Sequence, residues 1–223
     1  VVHRFSYITD EYSGQKAIMN KDILDVMEIK EGEYWLGLKK ARFFTWFYPF
    51  ANPHVEQPKE SPSRAYLQMV EAFIWSNYKP EEEEVALELG SAPGGASYAM
   101  VQRGIRVTGV DNAEMSETLL NHPLFTHIKE PMQKVRDEHI PRPCHLLISD
   151  VNVMPSLNLS QVKRFMQLRP GIKNVFYTLK IGSKITVPEI LEHAKTFKRF
   201  GFREVGITQL PSSKSEILLF GKK

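Results

Sequence analysis

From Ser61 onward, short apolar runs alternate with segments whose apolar residues recur every three to four positions, and nothing else limits the fold as strongly. "VALEL", "IRVTGV", "LFTHI", "CHLLISD" and "NVFYTLKI" read as strands. "SRAYLQMVEAFIWSNY", Gly94 to Arg103, "EMSETLLNH", "LSQVKRFMQL" and "VPEILEHAKTFKRFG" read as helices. In the first helix Leu67, Val70, Phe73 and Ile74 make the apolar stripe, with Ser63 as its predicted N-cap. Alternation of this kind predicts a mostly parallel sheet with helices on both faces. The last two strands, "FREVGITQL" and "SEILLF", are too close for a crossover helix, so they should pair as an antiparallel hairpin. The expected class is an α/β sandwich of Rossmann-like form.

The first 50 residues follow a different pattern. "DILDVMEIKEGEYWLGLKKA" carries strand-like pieces around a glycine turn, and the four prolines of "FYPFANPHVEQPKESPSR" mark a boundary between about residues 46 and 60. Residues 1–50 are expected to be an accessory segment and 51–223 the main domain. No run approaches the roughly 18 apolar residues of a membrane span. The N-terminus has no initiator Met, which suggests an incomplete start, and no signal pattern. Cys144 is the only cysteine, so no internal disulfide forms and no thiolate metal spacing exists; it reads as a core residue of a reducing, cytoplasmic setting. His54, His122, His127 and His139 are scattered without ligand spacing, so no metal is expected. A net charge of +3 is compatible with a nucleic-acid partner without requiring one. The basic run "KTFKRFGFR" is read first as a solvated helix face.

Between the first strand and its helix lies "GSAPGG", residues 90–95. Glycine loses conformational entropy on folding and packs nothing, so this turn needs close approach to its backbone. In open α/β sheets ligands bind beyond the carboxyl ends of strands, and Gly90, Ser91, Pro93, Gly94 and Gly95 fall there. The spacing is not the dinucleotide fingerprint, since Ala92 and Pro93 occupy its middle. A second strand ends at Asp111, where a carboxylate suits a ribose diol. The alternative is a purely structural turn with Asp111 as a cap.

"LELGSAPGGAS", "VTGVDNAEM", "LLISDVNVMP", "FYTLKIG" and "SSKSEILLF", in this order and spacing, resemble the FtsJ-like 2′-O-ribose RNA methyltransferases. "PSRAYLQMVEAF" and "VDNAEM" look most like the branch that methylates a cytidine of 23S rRNA. The resemblance covers residues 61–221. It implies a class I methyltransferase sandwich, S-adenosylmethionine as cofactor and RNA, most naturally rRNA, as partner. It also makes residues 1–50 a possible remnant of an RNA-binding region. Gly90, Ser91, Pro93, Gly94 and Gly95 would line the methionine side of the cofactor, and Asp111 the adenosine. Where the family often has an aspartate for the adenine, this chain has Pro131, with Glu130 nearby; where it has tryptophan, this chain has Ala96.

The family's catalytic set is Lys-Asp-Lys-Glu. Asp150, Lys180 and Glu216 match its last three members, Asp150 also facing the cofactor, while Gln68 stands in place of the first lysine. Lys180 would steer or deprotonate the 2′-hydroxyl, and a lysine base needs a lowered pKa. Asp150 and Glu216 push the other way, and Gln68 brings no cation to offset them. The expectation is a poorer base, with weak activity or an optimum at higher pH, unless a lysine from elsewhere such as Lys184 fills the gap. The leading reading is an rRNA 2′-O-methyltransferase. The alternatives are a catalytically weak RNA-binding protein that keeps the cofactor fold and a methyltransferase of another substrate class.

Overall fold

In the computed structural model of the chain, residues 20–40, 53–181 and 186–223 are described. Residues 1–54 and 55–223 form two units. In the first, β1 (Asp22–Lys30) and β2 (Glu33–Lys40) pair antiparallel around Gly32, whose φ of +77° suits a tight turn. Lys39 and Asp25 form an ion pair of 2.6 Å across the strands. Nothing in this hairpin resembles an active site.

The second unit alternates as the periodicity predicts: α1 (Ala65–Ser76), β3 (Val85–Leu89), α2 (Gly95–Val101), β4 (Arg106–Val110), α3 (Glu117–Leu120) and β5 (Phe125–Ile128), followed by β6 (Leu146–Ser149), α4 (Pro155–Leu168), β7 (Asn174–Lys180), α5 (Val187–Arg199), β8 (Glu204–Thr208) and β9 (Glu216–Lys222). The seven strands lie in the order β5-β4-β3-β6-β7-β9-β8. All pairs from β5 to β7 are parallel; β9 inserts between β7 and β8 and runs antiparallel to both. The order reverses between β3 and β6, which places the crevice beyond the carboxyl ends of these two strands, at Leu89 and Ser149.

Both faces of the sheet are covered, so the central strands are predominantly apolar, with Glu88, Thr108 and Ser149 as buried polar exceptions. On one face Met69, Val70 and Phe73 of α1 and Tyr98 and Met100 of α2 pack on Ala86, Ile148 and Phe176. On the other, Val162 and Phe165 of α4 and Phe197 of α5 pack on Leu87, Leu147 and Val175. Cys144 belongs to this second core, where burial pushes its thiol up to about 12, as suits an unreactive core residue.

Two details of the sequence reading change. Ser63 does not cap α1: Arg64 takes that place and no side-chain cap forms, while the Ser63 carbonyl accepts the Tyr66 N–H at 3.2 Å. The helix expected over "EMSETLLNH" shrinks to four residues because Ser116 is extended and its N–H goes to the Pro93 carbonyl instead. The basic run of α5 is a solvated face, with Lys195 and Arg199 both paired to Glu192.

Candidate active site

Beyond Leu89 the chain passes through Gly90 and Gly94 at φ of +80° and +116°, the left-handed region that glycine alone enters without strain. The close approaches to this turn come from the protein itself. A methyl group on Gly90 would run into the backbone carbonyl of Asp150, one on Gly94 into Leu119 and Met115, and one on Gly95 into Ser63. The turn is thus the point where β3, the end of β6, α3 and the entry to α1 meet. Pro93 lies on its exposed rim. Ser91 is buried against Gly109 of β4, and its hydroxyl has no hydrogen-bond partner among the described residues.

Asp111, just past β4, ties the turn to the next loop. Its Oδ2 accepts the Ala92 N–H at 3.1 Å and its Oδ1 the Ala113 N–H at 2.9 Å. A carboxylate offers about four acceptor positions, so these two bonds leave capacity for a diol. The structural and ligand readings of Asp111 are therefore compatible. Beneath the turn, Glu88 of β3 is 2% exposed and accepts the Ser97 hydroxyl of α2. Burial raises this carboxyl most, Ser97 works against the rise, and Asp150 and Asp111 add to it, taking it to about 8.

On the other side of Asp150 a row of polar side chains forms. Lys180, the last residue of β7, sits 2.6 Å from Asp150 Oδ1 and 2.5 Å from Glu216 Oε1. Glu216 opens β9 directly opposite Lys180 in the antiparallel register. Its second oxygen, Oε2, accepts the Gln68 amide of α1 at 2.6 Å, and that amide also reaches Ser213 Oγ at 3.3 Å. Asp150, Lys180 and Glu216 are each about one-fifth to one-quarter exposed at the side chain, at 21%, 28% and 19%. A cavity of about 30 Å³, space for one or two waters, adjoins Asp150 and Glu216 and is also walled by Gln68, Ala96, Ile148 and Phe176. The small Ala96 side chain helps leave this space open.

Burial acts to lower the Lys180 pKa, but Asp150 and then Glu216 more than offset it, and the ammonium is held above the ordinary lysine value. At neutral pH the group is a cation that can donate hydrogen bonds and stabilise developing negative charge; it is not a ready base.

The geometry therefore brings Asp150, Lys180 and Glu216 together and places Gly90 against the first of them. Gln68, noted in sequence as a departure, is physically part of the row. Lys184 lies outside the described residues. The sequence reading missed Glu88 and Glu71. Glu71 is 4% exposed on α1, and its Oε2 accepts both the N–H and the hydroxyl of Ser212, at 3.0 and 2.7 Å, four residues before Glu216. In each case the available signal was a carboxylate inside an apolar run, "VALEL" and "MVEAF", where an unpartnered charge does not persist. Among the described residues no group of three or more His, Cys, Asp and Glu could hold a metal ion, and no helix is long and apolar enough to cross a membrane.

Comparison with known proteins bears on this geometry. Residues 62–216 match the FtsJ-like methyltransferase family. The ribosomal RNA large subunit methyltransferase M of Pseudomonas syringae pv. tomato (strain ATCC BAA-871 / DC3000) is 29% identical over 86% of this chain and 56% of its own length. That of Azoarcus sp. (strain BH72) is 27% identical over 89% of this chain and again 56% of its own. The chain thus spans about half the length of the curated relatives it matches. A Plasmodium falciparum protein assigned as a ribosomal RNA methyltransferase shares the fold, with a TM-score of 0.55 and 18% identity over 73% of this chain and 97% of its own. At that identity only the fold is informative.

Proposed function

Since the chain belongs to the FtsJ-like methyltransferase family, we propose that it is an S-adenosylmethionine-dependent RNA methyltransferase acting on a ribose 2′-hydroxyl, with rRNA as its substrate. The observation that carries the reading is the Lys180 ammonium held by Asp150 and Glu216, with the Asp150 backbone pressed against the glycine turn.

The residues at the turn fit the cofactor. Ser91 has a buried hydroxyl without a partner among the described residues, Asp111 keeps acceptor capacity, and Asp111 and Asp150 flank the turn where a sulfonium needs negative charge. Gly90, Ser91, Pro93, Gly94 and Gly95 would hold its methionine portion and Asp111 its ribose, with Asp150 between cofactor and acceptor. Bound there, S-adenosylmethionine supplies an electrophilic methyl group on sulfur. Lys180 donates a hydrogen bond to the acceptor oxygen and aligns it, since in-line positioning supplies much of the acceleration in such a transfer. Asp150 would accept the hydroxyl proton, while Glu216 holds the ammonium in place. On this reading residues 1–50 are an accessory segment that contributes RNA contacts and residues 51–223 are the methyltransferase domain.

The test is transfer of a labelled methyl group from S-adenosylmethionine to unmodified, deproteinised rRNA, followed by alkaline hydrolysis. A 2′-O-methyl group blocks cleavage of the next phosphodiester, so label is expected in alkali-resistant dinucleotides. Label in mononucleotides would move the acceptor to a base and overturn the ribose assignment. Gln68 favours a second reading, a weakly active RNA-binding protein; cofactor binding without label at any pH up to 10 would support that one.

A further inference from the structure

The row of side chains beside the glycine turn is unbalanced in charge. Asp150 and Glu216 are both carboxylates, and among the described residues Lys180 is the only cation paired with either. The fourth member, Gln68, holds Glu216 Oε2 at 2.6 Å through a neutral amide. It satisfies the oxygen without neutralising it. With Lys180 protonated, the row carries one net negative charge.

That charge is tied to the turn. The Asp150 N–H donates to the Leu89 carbonyl at 2.9 Å, and the Asp150 carbonyl abuts Gly90. The carboxylate that pairs with Lys180 therefore belongs to the residue packed against the turn. Partial burial lessens screening of the excess charge, and an effective dielectric near 20 leaves appreciable interaction over several ångströms.

On the reading above, the molecule held at the turn changes charge when it reacts: the methylated cofactor is a sulfonium cation and the demethylated product a neutral thioether. We infer that Gln68 is a specificity-determining residue for cofactor charge: by leaving the Asp150–Lys180–Glu216 row one negative charge in excess, it favours S-adenosylmethionine over S-adenosylhomocysteine and so limits retention of product. The same excess strengthens Lys180 as a cation and weakens it as a base.

Calorimetric titration of the purified chain with S-adenosylmethionine and, separately, S-adenosylhomocysteine gives the ratio of the two affinities without reference to turnover. Gln68→Lys adds a cation and is expected to lower the ratio of cofactor to product affinity about three- to tenfold. Gln68→Met keeps the charge, removes the hydrogen bond and should leave the ratio within twofold of wild type. Glu216→Gln removes the excess charge from the other partner and should lower the ratio in the same direction; it keeps the inference testable if Gln68→Lys does not fold, which its melting curve would show. An unchanged ratio in both charge variants, or a fall in Gln68→Met equal to that in Gln68→Lys, would overturn the inference while leaving the enzyme reading intact. If wild type binds neither molecule, the cofactor assignment itself fails and this inference with it.

Discussion

The glycine turn and the charged row meet at Asp150 but are built on opposite principles. The turn is a backbone structure: its residues are contiguous, and each glycine is required by a specific neighbour, the Asp150 carbonyl, Leu119 or Ser63. The row is a side-chain structure whose members come from α1, the end of β6, the end of β7 and the start of β9. Substitution in the turn should damage the fold, whereas substitution in the row should damage chemistry and leave the fold largely standing.

The largest separation is expected at Lys180. Lys180→Met should lower kcat about 10²–10⁴-fold, with cofactor affinity changed only severalfold, as single-turnover and binding measurements would show. An equal fall in binding and turnover would place Lys180 with the turn instead. Next comes Gly90→Ala, where the added methyl meets backbone and φ is left-handed. A loss of about 2–4 kcal/mol is expected, or about 5–15 °C in melting temperature. A melting temperature within 2 °C of wild type would mean the turn is more pliable than its packing implies.

Glu88 sharpens the comparison through pH. Its carboxyl titrates near 8 in the folded chain against an ordinary value of 4.5, so the native state binds the extra proton between those limits. Stability contributed by the neutral carboxyl is complete below about pH 4.5 and is lost as pH rises toward 8. Glu88→Gln, which stays neutral, should gain on wild type by about 1–3 kcal/mol between pH 5.5 and 8.5 in urea unfolding. Parallel pH profiles for the two proteins would show that Glu88 does not titrate in this window. The smallest effect is expected at Gln68. Gln68→Lys should lower turnover near neutral pH a few-fold, because a second cation beside Glu216 and Asp150 weakens Asp150 as the proton acceptor. An unchanged or higher rate would show that proton transfer to Asp150 does not limit the reaction.

The two regions also differed in how far the sequence disclosed them. The strands and long helices followed from period alone, because both faces of the sheet are buried and their apolar residues cannot drift without exposing core. The turn was legible as a motif, but its glycines had suggested a ligand near the backbone, and the neighbours found there are chain segments that only the tertiary fold brings close. Ser63 failed as a cap for a related reason, since its segment is packed against Gly95. The row could not be read from local sequence at all. Lys180 and Glu216 are 36 positions apart, and only family resemblance linked them before the β7–β9 register put them face to face.

That register has a further consequence. In a wholly parallel sheet every residue at the ligand end must be the last of its strand; β9, by running backward, presents its first. Because side chains alternate along a strand, a slip of β9 by one residue would turn Glu216 away and offer Lys180 a serine or an isoleucine. Pairing with β7 on one side and β8 on the other guards against that slip. The last hairpin therefore works as a vernier, setting the position of one carboxylate by the alignment of the whole strand behind it.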